Sequence, residues 1–198
     1  MGQSRGRETA RRLLDGALEV YARTGPAGFT MTAVTEATGV SVGSLYHHFG
    51  SFDGLAAALY SRCMDELLGS LIAALHRSRT ARTGTRAMVV AYLRWVAEHR
   101  AEAHFIHASA YASFLPSHAE TIAAAKAPRM AAMLAWLRPH VEAGRVVDLP
   151  APLIEMLVIG PVAETSRRWL SGAPGIDLDQ AVRLLPERVW QSVRGTHG

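Results

Sequence analysis

Four polar side chains stand close together near the N-terminus, at Ser44, Tyr46, His47 and His48. A hydroxyl, a phenol and two imidazoles are short or planar hydrogen-bonding groups, which suit the edges of DNA bases and the backbone phosphates. To act together they need a helix that presents them on one exposed side. The chemistry that this pattern indicates is hydrogen bonding to a nucleic acid.

Two short helices joined by a tight turn would position these side chains. Thr30 is a natural N-cap for a helix over residues 31–38, and Ser41 for a second helix from residue 42 to about residue 49. Between them, Gly39 permits the positive φ that such a turn requires. The sequence therefore predicts a helix-turn-helix, the supersecondary unit that reads DNA.

A third helix precedes this pair. Apolar residues recur at helical spacing over residues 7–22, and the run Thr24-Gly25-Pro26 ends the pattern. We call the three-helix N-terminal part of the chain the head, and its last two helices the reading helices. The head should bury Val34, Ala37, Val40, Leu45 and Phe49. Gly43, which has no side chain, should let the start of the second reading helix approach DNA closely. Periodicity alone leaves open a plain helical hairpin whose polar face is only solvated.

The run from Thr30 to Phe49, TMTAVTEATGVSVGSLYHHF, decides between these two interpretations, because it resembles the N-terminal signature of tetracycline-repressor-type (TetR family) regulators. The match is dense over residues 39–49, continues to Leu55 and Tyr60, and covers about the first quarter of the chain. The resemblance implies that Thr30 and Thr32 lie near a phosphate, that Ser41, Gly43 and Ser44 lie at the groove entrance, that Tyr46 and His48 hold the DNA backbone, and that His47 touches a base.

The sequence departs from the family pattern in two places. Thr35 and Thr38 stand where the family usually has alanine, and each hydroxyl can bond back to its own helix. Phe52 stands where the family typically has a phosphate-contacting lysine. Phosphate anchoring should then depend more on the N-terminal arginines Arg5, Arg7, Arg11 and Arg12, together with Tyr46 and His48, and the salt dependence of DNA binding should be shallower.

Bulk composition does not itself point to DNA. The formal net charge is +4, but the first sixty residues hold five arginines and five acidic residues. Hydrophobic residues make up 49% of the chain, which is enough for a substantial core. The single cysteine, Cys63, excludes an internal disulfide, and the absence of a signal-peptide pattern or a long apolar stretch leads us to expect a cytoplasmic protein.

Beyond the head, helical patterns continue without strand alternation. After a fourth helix over residues 52–76 and a loop over residues 77–84, five more helices are predicted over residues 85–99, 101–113, 118–143, 150–171 and 177–194. We expect an all-α protein of about nine helices. The head is a DNA-binding domain at residues 1–52, and the rest of the chain, which we call the body, is a helical ligand-binding and dimerisation domain at residues 53–198.

The resemblance also implies a homodimer, formed through the last two helices at residues 150–171 and 177–194. A helix-turn-helix monomer meets only a half-site, and a two-fold operator requires a symmetric dimer. The apolar positions that would serve are Leu153, Leu157, Val158, Pro161, Val162, Leu178, Val182, Leu185, Val189 and Val193. The alternative is that these residues cover their own core.

A small, mostly apolar effector is the second partner that the resemblance implies. Aromatic and methionine side chains line adaptable apolar pockets, and histidines add polar contacts. The candidate effector-binding residues are Tyr92, Trp95, His99, Phe105, His107, Tyr111, Met130, Met133, Trp136 and Met156. For any one of them an ordinary place in the core is the simpler interpretation.

Other classes of site find little support in the sequence. His104 and His107 are spaced i, i+3, but two imidazoles without a placed carboxylate or thiolate are weak evidence for a metal. No catalytic constellation stands out, so we expect no enzyme activity, no cofactor and no metal. Three interpretations remain: a ligand-responsive repressor, a regulator whose body is a dimer scaffold or senses a protein partner, and an enzyme or carrier with a vestigial head.

Overall fold

The computed structural model describes the backbone of residues 2–109 and 114–196 and the side chains from Arg5 onwards. The described residues form ten helices and no strand, so the predicted all-α class is confirmed. One helix more than expected is found because a four-residue helix, α7, interrupts a predicted loop. The helices are α1 (Gly2–Gly28), α2 (Met31–Thr38), α3 (Val42–Phe49), α4 (Phe52–His76), α5 (Ala81–Glu98), α6 (Arg100–Ser109), α7 (Phe114–Ser117), α8 (Ala119–Glu142), α9 (Ala151–Leu170) and α10 (Leu178–Val193).

The first helix is longer than the sequence predicts. It begins at Gly2 rather than at residue 7, so the N-terminal arginines also lie on this helix. The predicted break is present at Gly25, whose φ of 66° and ψ of −169° are non-helical. A kink here separates the main part of α1 from a last turn that contains Pro26.

The predicted loop over residues 77–84 is too long at its C-terminal end, because α5 already begins at Ala81. A capping box explains the early start: the Thr80 hydroxyl accepts the Thr83 N–H at 3.1 Å, and the Thr80 N–H donates to the Thr83 hydroxyl at 3.2 Å. A threonine in place of the usual glutamate or glutamine at the third position hid this signal.

The chain divides into two compact units. The first comprises residues 1–64 and 101–125, and the second comprises residues 65–100 and 126–198. These compact units are discontinuous and do not coincide with the expected domains at residues 1–52 and 53–198. The expected domains are defined by function, so that division stays a prediction.

The first unit has a core built around the head. Its fully buried side chains include Leu13, Val20, Val34, Leu45, Leu55 and Leu59. Beside them lies an aromatic cluster of Tyr21, Phe29, Phe52 and Phe105. The Tyr21 ring meets Phe105 edge-on at 4.8 Å between centroids, and Phe29 lies 5.6 Å from Phe105. The cluster joins α1, α4 and α6, and the Tyr21 hydroxyl adds a 3.2 Å hydrogen bond to His104 Nδ1.

In the second unit, α10 packs against α5 and α9. Buried apolar side chains from all three fill the contact: Val89, Leu93, Val96, Val158, Val162, Val189 and Val193. Beyond the end of α10, Arg194 forms an isolated antiparallel bridge with Val146. Among the described residues, no helix is both long and apolar enough to cross a membrane.

Gly16 and Thr38 form a tight contact between α1 and α2. A Cβ added at Gly16 would collide with the Thr38 γ-methyl group. That methyl cannot readily turn away, because Thr38 is β-branched and its hydroxyl donates to the Val34 carbonyl at 2.8 Å. The close approach of the two helices therefore depends on glycine at this position.

We expect Gly16→Ala to destabilise the protein by about 1 kcal/mol, since an overpacking cost of about 1–3 kcal/mol exceeds the helix-propensity gain of about 1 kcal/mol. In a Thr38→Ala background the clash is absent, and the same substitution should stabilise the protein. Urea unfolding of the four members of this double-mutant cycle measures the coupling. Equal effects of Gly16→Ala in both backgrounds would contradict the contact.

Candidate nucleic-acid interface and body cavity

The two reading helices are capped as the sequence predicts. The Thr30 hydroxyl accepts the Ala33 N–H, and the Ser41 hydroxyl accepts the Ser44 N–H, each at 3.2 Å. Gly39 has a φ of 63°, in the left-handed region that glycine adopts without strain. These caps fix the ends of α2 and α3 and so fix the direction of α3.

The exposed side of α3 carries most of the predicted contact residues. Tyr46 is 48% exposed and His47 is exposed, whereas Ser44 and His48 are half-buried. His48 lies beside α1, since a Cβ at Gly6 would be 3.7 Å from its Cε1 atom. Exposed Tyr46 and His47 are therefore the side chains freest to reach a DNA groove.

On the inner side, Val34, Val40 and Leu45 are buried, as the sequence predicts, and Phe49 is half-buried. The expectation that Ala37 is buried is wrong, because Ala37 is exposed. Ala37 is the last residue but one of the eight-residue α2, and Val34 is the residue that this helix buries.

The other predicted DNA-contacting residues also lie at the surface. Arg5, Arg7, Thr30, Thr32, Ser41 and Gly43 are all exposed. Arg11, in contrast, pairs with Glu8 at 2.8 Å. Part of the charge on α1 is thus already engaged, whereas Arg5, Arg7 and Arg12 are exposed and make no ion pair with any described residue.

The two departures from the family pattern have structural explanations. The Thr35 and Thr38 hydroxyls donate to the carbonyls of Met31 and Val34, so both bond back to their own helix as expected. The half-buried Phe52 ring packs against Phe29, with 5.0 Å between centroids. It belongs to the aromatic cluster of Tyr21, Phe29, Phe52 and Phe105, which no local sequence pattern predicts.

We expect Phe52→Lys to steepen the dependence of log K on log salt by about 1, because one added phosphate contact releases about one more counterion. The substitution should also lower thermal stability, since it removes the ring from the aromatic cluster. Phe52→Ala is the matched control, which loses the ring without gaining a charge. DNA titrations at several salt concentrations measure the slope, which Phe52→Ala should leave unchanged. A Phe52→Lys protein that keeps the original slope would refute the expectation.

The second unit contains a cavity of about 270 Å³ with an almost wholly apolar lining. Three of the candidate effector-binding residues, Met130, Met133 and Trp136, line it from α8. The buried Thr85 hydroxyl and the exposed Glu155 are the polar side chains in the lining. The remaining lining residues are Leu75, Met88, Leu134, Leu137, Val146, Ala151, Pro152, Ile154, Val158, Ile159 and Val193.

Trp136 reaches this wall because α5 carries a buried glycine beside it. A Cβ added at Gly84 would collide with the Trp136 indole. The indole also contacts His140, with 4.5 Å between ring centroids. Burial, followed by the charge on Arg145, lowers the pKa of His140, so this ring is held neutral to lower pH than usual.

The structure does not bring the other described effector candidates to this cavity. Tyr92 and Trp95 are each 4% exposed, and Trp95 stacks on His99. The remaining three differ in their surroundings: Phe105 belongs to the aromatic cluster of the first unit, His107 is half-buried and Met156 is 67% exposed. Tyr111 lies outside the described residues. The sequence shows which residues are apolar or aromatic but not which side of each helix faces the cavity. The candidates therefore end up in different surroundings.

One histidine of the α6 pair, His104, lies beside a side chain of α1. His104 Nδ1 lies 3.2 Å from the Tyr21 hydroxyl. Across the residues that the structure describes, no three His, Cys, Asp or Glu side chains are grouped so that they could hold a metal ion.

An exposed apolar face runs along the last two helices. Leu153 and Met156 on α9 are 47% and 67% exposed, and Leu184 on α10 is 59% exposed. Further along α9, a Cβ added at Gly160 would meet no atom within 4 Å. Several residues predicted for a dimer contact instead fill the chain's own core, since they are buried: Val158, Val162, Leu178, Val189 and Val193.

Comparison with known sequences identifies the head. The family described as "Bacterial regulatory proteins, tetR family" matches residues 13–59, which include the whole helix-turn-helix. Residues 13–59 are a TetR-family domain. No curated protein matches the sequence.

Solved structures extend the likeness in fold to nearly the whole chain. A TetR-family regulator from Marinobacter aquaeolei VT8 is 18% identical, with a TM-score of 0.74 and coverage of 98% of this chain and 99% of that one. A second, from Shewanella sp. PV-4, is 16% identical, with a TM-score of 0.77 and coverage of 94% and 98%. FadR from Bacillus subtilis in complex with stearoyl-CoA is 16% identical, with a TM-score of 0.73 and coverage of 93% and 99%. The chain thus has the fold of TetR-family DNA-binding transcription regulators.

Proposed function

We propose that this protein is a cytoplasmic, dimeric transcriptional repressor that a small, mostly apolar effector releases from a palindromic operator. The observation that carries the proposal is the TetR-family head, whose reading helix exposes Tyr46 and His47. Two heads related by a two-fold axis would read two half-sites in successive major grooves. The contact roles of Ser44, Tyr46, His47 and His48 belong to this proposal.

The dimer would form through α9 and α10, by their exposed apolar face rather than by all the positions named from the sequence. Leu153, Met156 and Leu184 would be buried against a second copy of the chain. Gly160 supports this arrangement, because a glycine on an exposed helix face allows another helix to approach closely. Obligate homodimer interfaces are more apolar than ordinary surface, which fits this composition.

The effector would occupy the cavity beside Met130, Met133 and Trp136. A volume of about 270 Å³ is close to the lower end of ligand sites. We therefore propose a compact apolar effector, or the apolar end of a longer one. The stearoyl-CoA complex of FadR makes an acyl chain a reasonable first compound class to test.

The proposed function is tested by gel shift with the DNA upstream of the protein's own gene. We expect sequence-specific binding that survives an excess of unrelated DNA, and release by those apolar compounds that also raise the melting temperature of the protein. Absence of specific binding would contradict a repressor. Specific binding without release or thermal stabilisation by any compound would favour the scaffold alternative.

Filling the cavity should abolish the effector response. We expect Met133→Trp to remove the thermal shift given by an apolar ligand, because the larger side chain occupies the binding volume, while operator binding in the absence of ligand is retained. Ala131→Trp is the matched control, at an exposed position of α8 outside the lining. An unchanged ligand response in Met133→Trp, measured by differential scanning fluorimetry, would place the effector elsewhere.

A further inference from the structure

A second hollow in the same unit differs from the apolar cavity in its chemistry. This cleft has a volume of about 560 Å³ and lies among the end of α4, the outer side of α5 and the first half of α10. Four arginines line it, together with a single acidic residue, Glu98. They come from three parts of the fold: Arg77 follows α4, Arg86 and Arg94 belong to α5, and Arg183 belongs to α10.

The α5 side of the cleft is continuous. Thr83, Arg86, Ala87, Val90, Ala91 and Arg94 follow one another at helical spacing, so they form one face of α5. The small residues Ala87, Val90 and Ala91 leave a shallow floor between the two arginines. Arg86 and Arg94 are eight residues apart, which separates their Cα atoms by about 12 Å along the helix.

Most of the positive charge in the cleft has no partner within the part of the chain that the structure describes. Arg86 forms an ion pair with Glu187 at 3.4 Å, and Glu187 forms a second ion pair with Arg82 at 3.1 Å. Across residues 5–109 and 114–196, Arg77, Arg94 and Arg183 make no ion pair. Unpaired like charges gathered around one concave surface repel each other, and an anion between them would remove that cost.

The cleft and the apolar cavity lie on different sides of α5. Thr85 and Met88 face the cavity, whereas Arg86, Val90 and Arg94 face the cleft. At about 100° of rotation per residue these sets lie on nearly opposite faces of the helix. An occupant of the cleft would therefore be a second ligand rather than an extension of the proposed effector.

We propose that this cleft is a binding site for a small molecule that carries two or more phosphate groups. Guanidinium groups bind phosphate oxygens through paired N–H donors, which favours arginine over lysine at such sites. The Ser70 hydroxyl lies in the same lining and offers a further donor, whereas the Ser78 and Thr83 hydroxyls already donate to the carbonyls of Ala74 and Thr80. The spread of the arginines along α5 and across to α10 suits at least two anionic groups better than a single one.

Isothermal titration of the full-length protein with inorganic pyrophosphate, at constant ionic strength, tests the site. We expect saturable binding that weakens at least tenfold in the double variant Arg94→Gln/Arg183→Gln. Arg138→Gln/Arg188→Gln is the matched control, since it removes the same charge from exposed arginines outside the lining. Because Arg94 and Arg183 make no ion pair with any described residue, the double variant should keep the melting temperature of the unliganded protein.

Three results would overturn the proposal. They are no saturable binding, equal weakening in the two double variants, and binding that inorganic sulfate at the same ionic strength abolishes in full. Operator binding by the head does not enter this measurement, so its outcome is independent of the proposed function.

Discussion

Replacing Met156 and Leu184 with glutamate is expected to convert a dimer into monomers and to weaken operator binding by at least 100-fold. Both side chains are among the most exposed large apolar residues of the chain, at 67% and 59%. Two carboxylates in each copy would have to lose their hydration at an apolar interface, which costs several kcal/mol. A monomer then meets only one half-site and loses the contribution of the second head.

Sedimentation equilibrium measures the oligomeric state, and gel shift measures the affinity. Added negative charge weakens DNA binding by itself, so Ala123→Glu/Ala127→Glu is the matched control on exposed positions of α8. The control should stay dimeric and lose little affinity. A dimeric Met156→Glu/Leu184→Glu variant would exclude this face as the interface.

The second large effect is expected on the reading helix. Tyr46→Ala combined with His47→Ala should weaken specific operator binding by about 30-fold to 100-fold, with little change in stability because both side chains are exposed. The two residues should contribute to DNA binding in different ways. Loss of a phosphate contact at Tyr46 weakens binding to all sequences alike, whereas loss of a base contact at His47 also lowers discrimination between bases.

Single variants separate these roles. Tyr46→Phe removes only the hydroxyl and should account for most of the Tyr46 effect if that group holds a phosphate. The comparison uses the operator and a variant operator in which the base pair proposed to contact His47 is changed. The unmodified protein should prefer the operator, whereas His47→Ala should bind both DNAs with similar affinity. A His47→Ala protein that retains the full preference would assign base reading to other residues.

The head could be predicted closely from the sequence because its signals are local. Thr30 and Ser41 cap their own helices within three residues, and Gly39 marks its own turn. The aromatic cluster could not be predicted in the same way. It joins Tyr21, Phe29 and Phe52 to Phe105, which lies more than fifty residues further along the chain, and no pattern in a single sequence specifies such a contact.

The cavity lining was harder to predict for a related reason. Met130, Met133 and Trp136 share one face of α8 and line the cavity, but Met156 on α9 is as apolar and lies at the surface. Residue type indicates that a side chain can be buried, while the face on which it lies depends on how the helices pack. The cationic cleft could not be predicted for the same reason, since its four arginines come from three separate parts of the fold.

The contact between Gly16 and Thr38 has a consequence for how this sequence can change over generations. Alanine at position 16 is harmful while Thr38 is present, whereas alanine at position 38 creates no clash and gives up only the local hydrogen bonds of the Thr38 hydroxyl with Val34 and Val40. A lineage that ends with alanine at both positions must therefore pass through the change at 38 first. We expect close homologues to combine glycine at position 16 with either residue at position 38. Those that carry Gly16→Ala should also carry Thr38→Ala, or another substitution that removes the γ-methyl group.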